Sequence, residues 1–261
     1  MKIDIGIGVD IIGDIHACFE EFLEMLEKLG YRNGGDGLYR HPEGRTLISL
    51  GDVMSRGPQS IACMEFFLKH VKAGLAYMTD SNHGWKIARW LDGRKVQLKH
   101  GDELVEQEFL AYEQLHGTKR TKQLKNDLKH LLMNTPSHYI LQENNIDKIV
   151  CTHAGIKDEF IGRETSRIKD FCRYGDVAGT DENGKPIRRD WFLNHKGELL
   201  IIWGHDPKPE PMIINNTINI DQGLVFGGKL TTYRYPEKEF VFVNAKQNYS
   251  GREGIDNPIQ K

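Results

Sequence analysis

Five short apolar runs, each followed by polar residues, are the feature that most constrains how this chain can fold. They are rich in β-branched side chains, which is typical of strands buried on both faces. Amphipathic segments at 18–31 and 59–71 separate the early runs and predict helices with one apolar stripe. This alternation predicts an α/β layered fold. The runs are VDIIGD (9–14), TLISLGD (46–52), GLAYMTDSNH (74–83), DKIVCTHAG (147–155) and LLIIWGHD (199–206).

The remaining segments have different patterns. Residues 100–140 are rich in lysine and glutamate, with leucines at helical spacing, which predicts a helical insertion over one end of the sheet. Residues 212–243 alternate β-forming residues with Asn, Gly and Pro, which predicts antiparallel strands. We therefore expect one domain over residues 1–244 and a polar C-terminal tail over residues 245–261.

Each predicted strand is followed by side chains that carry oxygen or nitrogen donors. Taken singly, Asp14 or Asn82 could cap a helix or turn, and His153 or His205 could be a hydrogen-bonded core histidine. Taken together they indicate a site, because ligands collect at the carboxyl ends of strands and buried charges need partners. The residues at these strand ends are Asp14, His16, Asp52, Asn82, His83, His153 and His205.

The donor types indicate the chemistry of that site. Carboxylate, imidazole and amide donors without thiolates suit manganese, iron or zinc better than a structural zinc ion. So many donors could hold two ions about 3.5–4 Å apart that share one carboxylate, clamp a phosphate and generate a hydroxide nucleophile. Asp52 is the natural shared ligand. Arg56 follows closely enough to hold phosphate oxygens in a planar fork.

Composition restricts the partners of such a site. The net charge of −2 argues against an extended nucleic-acid surface, which usually makes a domain strongly basic. No apolar run approaches the roughly 20 residues that cross a bilayer, so we expect no membrane partner. The four cysteines are scattered without a CxxC pair, which favours reduced thiols in a cytoplasmic protein over disulfides.

Five motifs stand in a characteristic order between residues 13 and 207: GDIH, GDVMSRGP, SNHG, THAG and GHDP. In this order they resemble the signature of the calcineurin-like metallophosphoesterases. The wider chain is similar to the bacterial bis(5'-nucleosyl)-tetraphosphatases of the PrpE type, and to the phosphatase module of bacterial polynucleotide kinase-phosphatases. The resemblance covers nearly the whole chain apart from the polar tail. It implies a four-layer α/β/β/α sandwich with a helical cap insertion.

The same resemblance implies a binuclear metal site. We expect two divalent ions, with manganese as the leading candidate and iron, zinc or nickel as alternatives. The first ion would be bound by Asp14, His16 and Asp52. The second would be bound by Asp52, Asn82, His153 and His205.

The resemblance also implies roles for residues around the metals. His83 matches the catalytic histidine, which donates a proton to the leaving oxygen or stabilises its charge. Arg56 matches the phosphate-binding arginine. Lys86, Arg188 and Arg189 are candidates for contacts with outer phosphates, although a solvated surface position explains the two later arginines equally well.

Three residues depart from the family signature: Ala17 and Ser81 stand in place of glycines, and Ser55 in place of an aspartate. At the first two positions, the only question is whether a non-glycine residue can adopt the local backbone conformation. Ser55 removes a charge, because the family aspartate commonly pairs with the catalytic histidine and raises its pKa. We therefore expect the acid function of His83 to weaken, so that either the pH optimum shifts or the preference moves towards substrates with good leaving groups.

The activity implied is hydrolysis of a phosphoanhydride or phosphoester by attack of a metal-bound hydroxide on phosphorus. The expected substrate is a phosphorylated small molecule, namely a dinucleoside polyphosphate such as diadenosine tetraphosphate. Two alternatives stay open: a phosphatase acting on phosphoprotein or nucleic-acid ends, and a catalytically weakened metal-binding module. Near-neutral charge weakens the nucleic-acid version. The complete set of inferred ligands weighs against the module.

Overall fold

The computed structural model describes residues 1–182 and 186–251. The helices are α1 (Phe19–Leu29), α2 (Ser60–Lys72), α3 (Asn82–Leu91), α4 (Glu103–His116), α5 (Thr118–Asn134) and α6 (Ser166–Tyr174). The strands are β1 (Lys2–Asp4), β2 (Val9–Ile12), β3 (Arg32–Asn33), β4 (Tyr39–Arg40), β5 (Thr46–Ser49), β6 (Ala76–Met78), β7 (His138–Glu143), β8 (Ile146–Thr152), β9 (Asp176–Thr180), β10 (Pro186–Arg189), β11 (Leu200–Trp203), β12 (Met212–Ile214), β13 (Thr217–Asn219), β14 (Asp221–Gln222), β15 (Lys229–Tyr235) and β16 (Glu239–Asn244).

Two large sheets form the centre of the described chain. The first has the strand order β1-β7-β8-β11-β13-β12, and the second has the order β14-β15-β2-β5-β6 with β16 paired to β15. Strands β8, β11 and β13 are parallel, as are β2, β5 and β6. The carboxyl ends of each parallel set therefore meet at one edge of its sheet.

The two sheets pack face to face, and helices cover both outer faces. Between the sheets lies an apolar core that includes Val9, Ile11 and Ile48 of the second sheet and Leu141 and Ile202 of the first. Helices α1 and α2 pack directly on the outer face of the second sheet, and α3 to α5 join the same apolar cluster. Helix α6 packs on the outer face of the first sheet. This layering confirms the predicted α/β/β/α sandwich.

Helix α1 shows how the sequence produces these layers. It buries Phe22, Met25, Leu26 and Leu29 on one stripe, as its amphipathic spacing predicts. The helix ends at Gly30, whose φ of 97° is a left-handed conformation that glycine adopts without steric cost.

The insertion predicted over residues 100–140 consists mainly of α4 and α5, and its last residues belong to β7. Helix α5 buries Leu124, Leu128 and Leu132 and packs against α3 and α4. Because α3 begins at Asn82, the insertion lies beside the predicted site. The segment that leads into α4 reaches that site directly.

The region after β16 is attached to the body where the structure describes it. The backbone N–H of Ala245 donates to the Gly228 carbonyl at 2.8 Å, and the Tyr249 hydroxyl donates to Glu21 at 2.7 Å. The rest of the predicted tail, residues 252–261, lies outside the described residues. Among the helices of the described chain, none combines the length and apolar character needed to cross a bilayer.

Candidate metal centre

The predicted donors meet where the carboxyl ends of β2, β5, β6, β8 and β11 converge. Three of the turns that carry them hold a non-glycine residue in the left-handed region, with φ of 46° at His16, 43° at Asp52 and 71° at His205. Such conformations cost free energy and tend to cluster at functional sites. Beside them, a Cβ on Gly204 would lie 2.3 Å from Asp14 Oδ1, so only glycine fits there.

The orientations of His16 and His153 are fixed by the backbone. Nδ1 of His16 lies 3.2 Å from the Met54 carbonyl, and Nδ1 of His153 lies 2.9 Å from the Leu50 carbonyl. A carbonyl only accepts hydrogen bonds, so Nδ1 carries a proton in both rings, and each ring presents a lone pair at Nε2 when it is neutral. This arrangement is usual for metal-binding histidines.

Both lone pairs face Asp52. Its Oδ2 lies 3.6 Å from His16 Nε2 and 3.4 Å from His153 Nε2, while its Oδ1 accepts the backbone N–H of His83 at 3.2 Å. Donor atoms of His16, Asp52 and His83 lie within 4.8 Å of one another, as do those of Asp52, His153 and His205. Asp52 is common to both groups, which is the position of a shared ligand.

Asn82 and His205 complete the side that faces His153. Asn82 Oδ1 lies 2.8 Å from His153 Nε2 and 3.0 Å from His205 Nδ1, and the two histidine nitrogens are 3.1 Å apart. Several atoms that can offer lone pairs thus converge on one small space. A metal cation can accept lone pairs from all of these atoms at once.

Burial makes the need for a cation stronger. Asp14 is buried, and its Oδ2 has no hydrogen-bond partner among the described residues. Burial and the Asp221 carboxylate raise the pKa of Asp14 well above its usual value. The donor set therefore fits divalent cations, whose charge would favour the ionised carboxylates.

Burial and the nearby carboxylates also determine the pKa values of His16 and His153. Burial lowers the pKa of His16 to about 3, because the charged ring would lose its hydration. Burial also acts against a charged His153, but the carboxylates of Asp52 and Asp14 outweigh it and raise the pKa of His153 to about 9. In the absence of metal, a proton on His153 partly replaces the missing positive charge.

His83 lies next to Asn82 at the start of α3, and its ring is held by a residue of the insertion. Nδ1 of His83 lies 2.5 Å from Asp102 Oδ1, and Lys86 Nζ lies 2.6 Å from Asp102 Oδ2. Although burial raises the pKa of Asp102, the neighbouring His83, Lys86 and Ser55 side chains lower it below its usual value. The Asp102 carboxylate is fully buried.

A cationic cavity of about 430 Å³ opens beside His83. Asn82 and His83 form its inner end, where it meets the donor cluster, and Trp85 and Tyr174 supply aromatic surface. The Arg56 guanidinium also lies 5.4 Å from the centre of the Phe226 ring. The basic residues of the cavity are Arg56, Lys86, Arg89, Lys95 and His100.

The later arginines lie on β10, which pairs antiparallel with β9. Arg188 Nη2 lies 3.0 Å from His205 Nε2, which brings this arginine to the metal centre. Arg189 is largely exposed, with Asp176 as a partner 3.7 Å away. The geometry thus favours Arg188 over Arg189 for contact with substrate, while Lys86 is held by Asp102 at the cavity wall.

The structure shows the backbone conformation of Ala17 and the contacts of Ser81, two of the residues that depart from the signature. Ala17 is buried with a φ of 61°, so the chain places an alanine in a conformation that glycine would adopt more easily. Ser81 caps α3, and its hydroxyl accepts the backbone N–H groups of Gly84 at 3.1 Å and of Asp52 at 3.0 Å. The serine thereby ties the turn that carries Asp52 to the helix that carries Asn82.

Two buried carboxylates in this region were missed by sequence reasoning. Asp102 follows a polar stretch without strand character, so nothing local marks it. Asp221 follows the apolar segment TINI, and burial raises its pKa to about 7. The same rule of a polar residue after a strand could have found Asp221. Only the packing of the insertion reveals Asp102.

A layered α/β sandwich that gathers these donors at one edge defines a metal-dependent hydrolase of phosphate esters. The chain belongs to the calcineurin-like phosphoesterase family, whose model matches residues 7–209. This match confirms the resemblance seen in the ordered motifs.

Curated relatives match over almost the full length. The asymmetrical bis(5'-nucleosyl)-tetraphosphatase PrpE of Oceanobacillus iheyensis is 41% identical over 253 residues, covering 95% of this chain and 96% of the relative. The protein of the same name from Bacillus cereus strain B4264 is 44% identical over 238 residues, covering 90% and 93%. A solved structure, provisionally described as a diadenosine tetraphosphatase, has a TM-score of 0.64 at 20% identity, covering 94% of this chain and 97% of that one. That likeness concerns the fold.

Proposed function

We propose that this protein hydrolyses dinucleoside tetraphosphates such as diadenosine tetraphosphate, cutting them asymmetrically into a nucleoside triphosphate and a nucleoside monophosphate. The observation that carries the proposal is the junction between the donor cluster and the cationic cavity at Asn82 and His83. The names of the curated relatives support the substrate and the asymmetry.

The cavity suits a polyphosphate that extends away from the reacting phosphorus. With one phosphorus at the donor cluster, the further phosphates would lie among the basic side chains that line the cavity. Arg56 can bind two phosphate oxygens at once through its planar fork. The volume of about 430 Å³ is within the range of small-molecule sites, and Trp85 and Tyr174 offer surfaces for a base.

We propose two divalent ions at this centre, with manganese as the metal that its oxygen and imidazole donors suit. When bound, such a pair supplies Lewis-acid stabilisation of phosphoryl oxygens and lowers the pKa of water. The residues that would hold the first ion are Asp14, His16 and Asp52. Those that would hold the second are Asp52, Asn82, His153 and His205.

The side chains of the protein would then carry out the proton transfer and the stabilisation of charge. A water oxygen forms the new bond to phosphorus, and the bond between that phosphorus and the bridging oxygen breaks. The attacking water gives up one proton to the surrounding solvent, while His83 donates a proton or a hydrogen bond to the departing oxygen. Arg56 holds the charge that develops on the phosphoryl oxygens.

The test is product analysis with diadenosine tetraphosphate and added Mn²⁺, with the products separated by ion exchange. We expect ATP and AMP in equal amounts, and no product from Asp52→Asn. Asp127→Asn, at a half-exposed position of α5 that contacts Lys72, serves as a control for the same chemical change elsewhere, and it should leave turnover unchanged. Running the reaction in ¹⁸O-labelled water should place the label in AMP if the triphosphate end occupies the cavity.

Other outcomes separate the parts of the proposal. Two ADP per substrate would overturn the asymmetry. If the wild type hydrolyses p-nitrophenyl phosphate but leaves the dinucleotide intact, the substrate proposal is wrong and a phosphatase for phosphoprotein or nucleic-acid ends is favoured. If neither compound is hydrolysed with any of Mn²⁺, Fe²⁺, Zn²⁺ or Ni²⁺, the chain is a metal-binding module without this chemistry.

A cytoplasmic location is part of the proposal. All four cysteines, at positions 18, 63, 151 and 172, are free thiols buried in the structure. Free thiols persist in a reducing compartment, which is also where nucleotide substrates are found.

A further inference from the structure

We propose that Asp102, carried by the start of the helical insertion, is the positioning residue for His83 and replaces the carboxylate that position 55 lacks. The inference rests on the proposed phosphoester hydrolysis, but not on the dinucleotide as the substrate. It reverses the expectation that Ser55 leaves His83 without an acidic partner. In this chain the carboxylate comes from a different segment.

The contact between Asp102 and His83 has the geometry of a functional pair. Nδ1 of His83 and Oδ1 of Asp102 are 2.5 Å apart, and both residues are buried. An ionised carboxylate only accepts hydrogen bonds, so it fixes the proton on Nδ1. The other ring nitrogen, Nε2, is thereby left to face the reacting phosphoryl group.

Positions 55 and 102 are neighbours in the folded chain. Ser55 is buried, and the next residue, Arg56, donates its backbone N–H at 3.0 Å to the carbonyl of Gly101, the residue before Asp102, so the two positions adjoin. Lys86 contacts the second carboxylate oxygen at 2.6 Å and balances its charge. A buried carboxylate with a hydrogen-bonded histidine on one oxygen and a lysine ammonium paired to the other is held in one orientation.

The backbone that delivers Asp102 is fitted to the loop that carries Arg56. The Arg56 N–H donates to the Gly101 carbonyl at 3.0 Å. Gly101 has a φ of 93°, and a Cβ there would lie 2.6 Å from the Arg56 Cα. Only glycine allows this approach, so the insertion docks on the phosphate-binding loop at a single fixed depth.

The test removes the carboxylate from position 102 and places a new one at position 55. Asp102→Ala should lower kcat about 10- to 100-fold, as losses of hydrogen-bond partners of site histidines do, with KM little changed. The loss should be larger for phenyl phosphate than for p-nitrophenyl phosphate, because a poorer leaving group depends more on the acid. Adding Ser55→Asp to Asp102→Ala should recover most of the lost kcat, since aspartate tolerates the left-handed conformation of residue 55.

A second readout does not depend on turnover. In the metal-free wild type, the ring proton held between His83 Nδ1 and Asp102 should give a low-field proton NMR signal. Asp102→Ala should abolish the signal, and the double variant should restore it. Asp127→Asn, which removes a half-exposed carboxylate elsewhere in the insertion, should change neither kcat nor this signal. Asp102→Asn is a near-isosteric alternative should the alanine variant fail to fold.

The proposal is overturned if Asp102→Ala keeps wild-type kcat on both esters. It is also overturned if Asp102→Ala lowers kcat equally for both esters and the added Ser55→Asp restores none of that kcat. Such a pattern would indicate a purely structural role for Asp102. Aryl phosphates make the test independent of the proposed substrate. A wild type that hydrolyses them but spares the dinucleotide contradicts the proposed function alone.

Discussion

At the scale of single residues, what matters most is which atom of each side chain is already committed to a hydrogen bond. Backbone carbonyls take Nδ1 of His16 and His153, which leaves Nε2 of each ring facing Asp52. The same reasoning applies away from the site, where His138 Nε2 accepts the N–H of Gly162 at 2.9 Å. A histidine that must accept a hydrogen bond in the folded state resists protonation.

His138 therefore predicts a pH dependence of stability. Burial lowers its pKa to about 4 from an ordinary value of 6.5, so the unfolded state takes up the proton first as the pH falls. Its contribution to stability is complete above pH 6.5 and is lost as the pH falls towards 4, by up to about 1.4 kcal/mol per pH unit. Urea unfolding of the metal-free protein at several pH values measures this loss.

The control for that prediction is a matched substitution. His138→Gln should be less stable at neutral pH and should have a shallower pH dependence between 6.5 and 4 than the wild type. His116→Gln, on an exposed residue at the end of α4, should keep the wild-type dependence. Equal slopes for the wild type and His138→Gln would contradict the assignment.

At the scale of elements, the strands that carry the site are held together by a buried ionic network on β2. Asp10 accepts from Arg45 at 2.9 and 3.0 Å, from Arg234 at 3.0 Å and from the Tyr31 hydroxyl at 3.0 Å. These partners join β2 to the start of β5, to β15 and to the chain after α1. The network is distant from the donor atoms but fixes the strands that present them.

Removing Asp10, the residue that all of these partners share, should therefore strongly reduce the free energy of unfolding. Asp10→Ala removes the fully buried carboxylate that pairs with Arg45 and Arg234 and leaves Arg45 with Glu237 alone, which should cost about 3 kcal/mol. Asp36→Ala removes the exposed partner of Arg40 and should hardly change the free energy of unfolding. Denaturant unfolding of the two variants decides the point, and similar losses in both would contradict the role given to the network.

The insertion loop gives a second prediction at this scale. Gly101→Ala places a Cβ against the Arg56 backbone, so the loop must shift and carry Asp102 away from His83. We expect kcat to fall by about tenfold or more, with a smaller effect on folding. Gly93→Ala also alters a glycine of positive φ, at 78°, but its Cβ meets no atom within 4 Å. If both variants keep wild-type kcat, the docking of the loop does not position Asp102.

At the scale of the whole molecule, two sheets and an insertion contribute to one site, so its occupancy should be coupled to folding. A cation that binds only the folded chain stabilises it by about 2.7 kcal/mol per site at a hundred times its Kd. Mn²⁺ should therefore raise the Tm of the wild type and have little effect on Asp52→Asn. A Tm that is insensitive to Mn²⁺ in the wild type would contradict this coupling.

Much of this arrangement could be predicted because its signals are local. Asp14, Asp52 and His205 follow apolar strands directly, and parallel strands bring their carboxyl ends together whatever lies between them. Asp102 could not be predicted, because its role depends on how the insertion packs on the loop of Arg56, which is a contact between distant segments. Sequence pattern marks elements and their ends, but not the docking of one element on another.

The central claim is that one cluster of side chains binds two cations. The most direct measurement is titration calorimetry of Mn²⁺ into the metal-free protein, for the wild type and for Asp52→Asn. We predict two ions per chain in the wild type, with both affinities falling by more than about 10- to 100-fold in the variant, since the shared ligand serves both ions. A single ion per chain, or unchanged binding in Asp52→Asn, would contradict the shared-ligand centre.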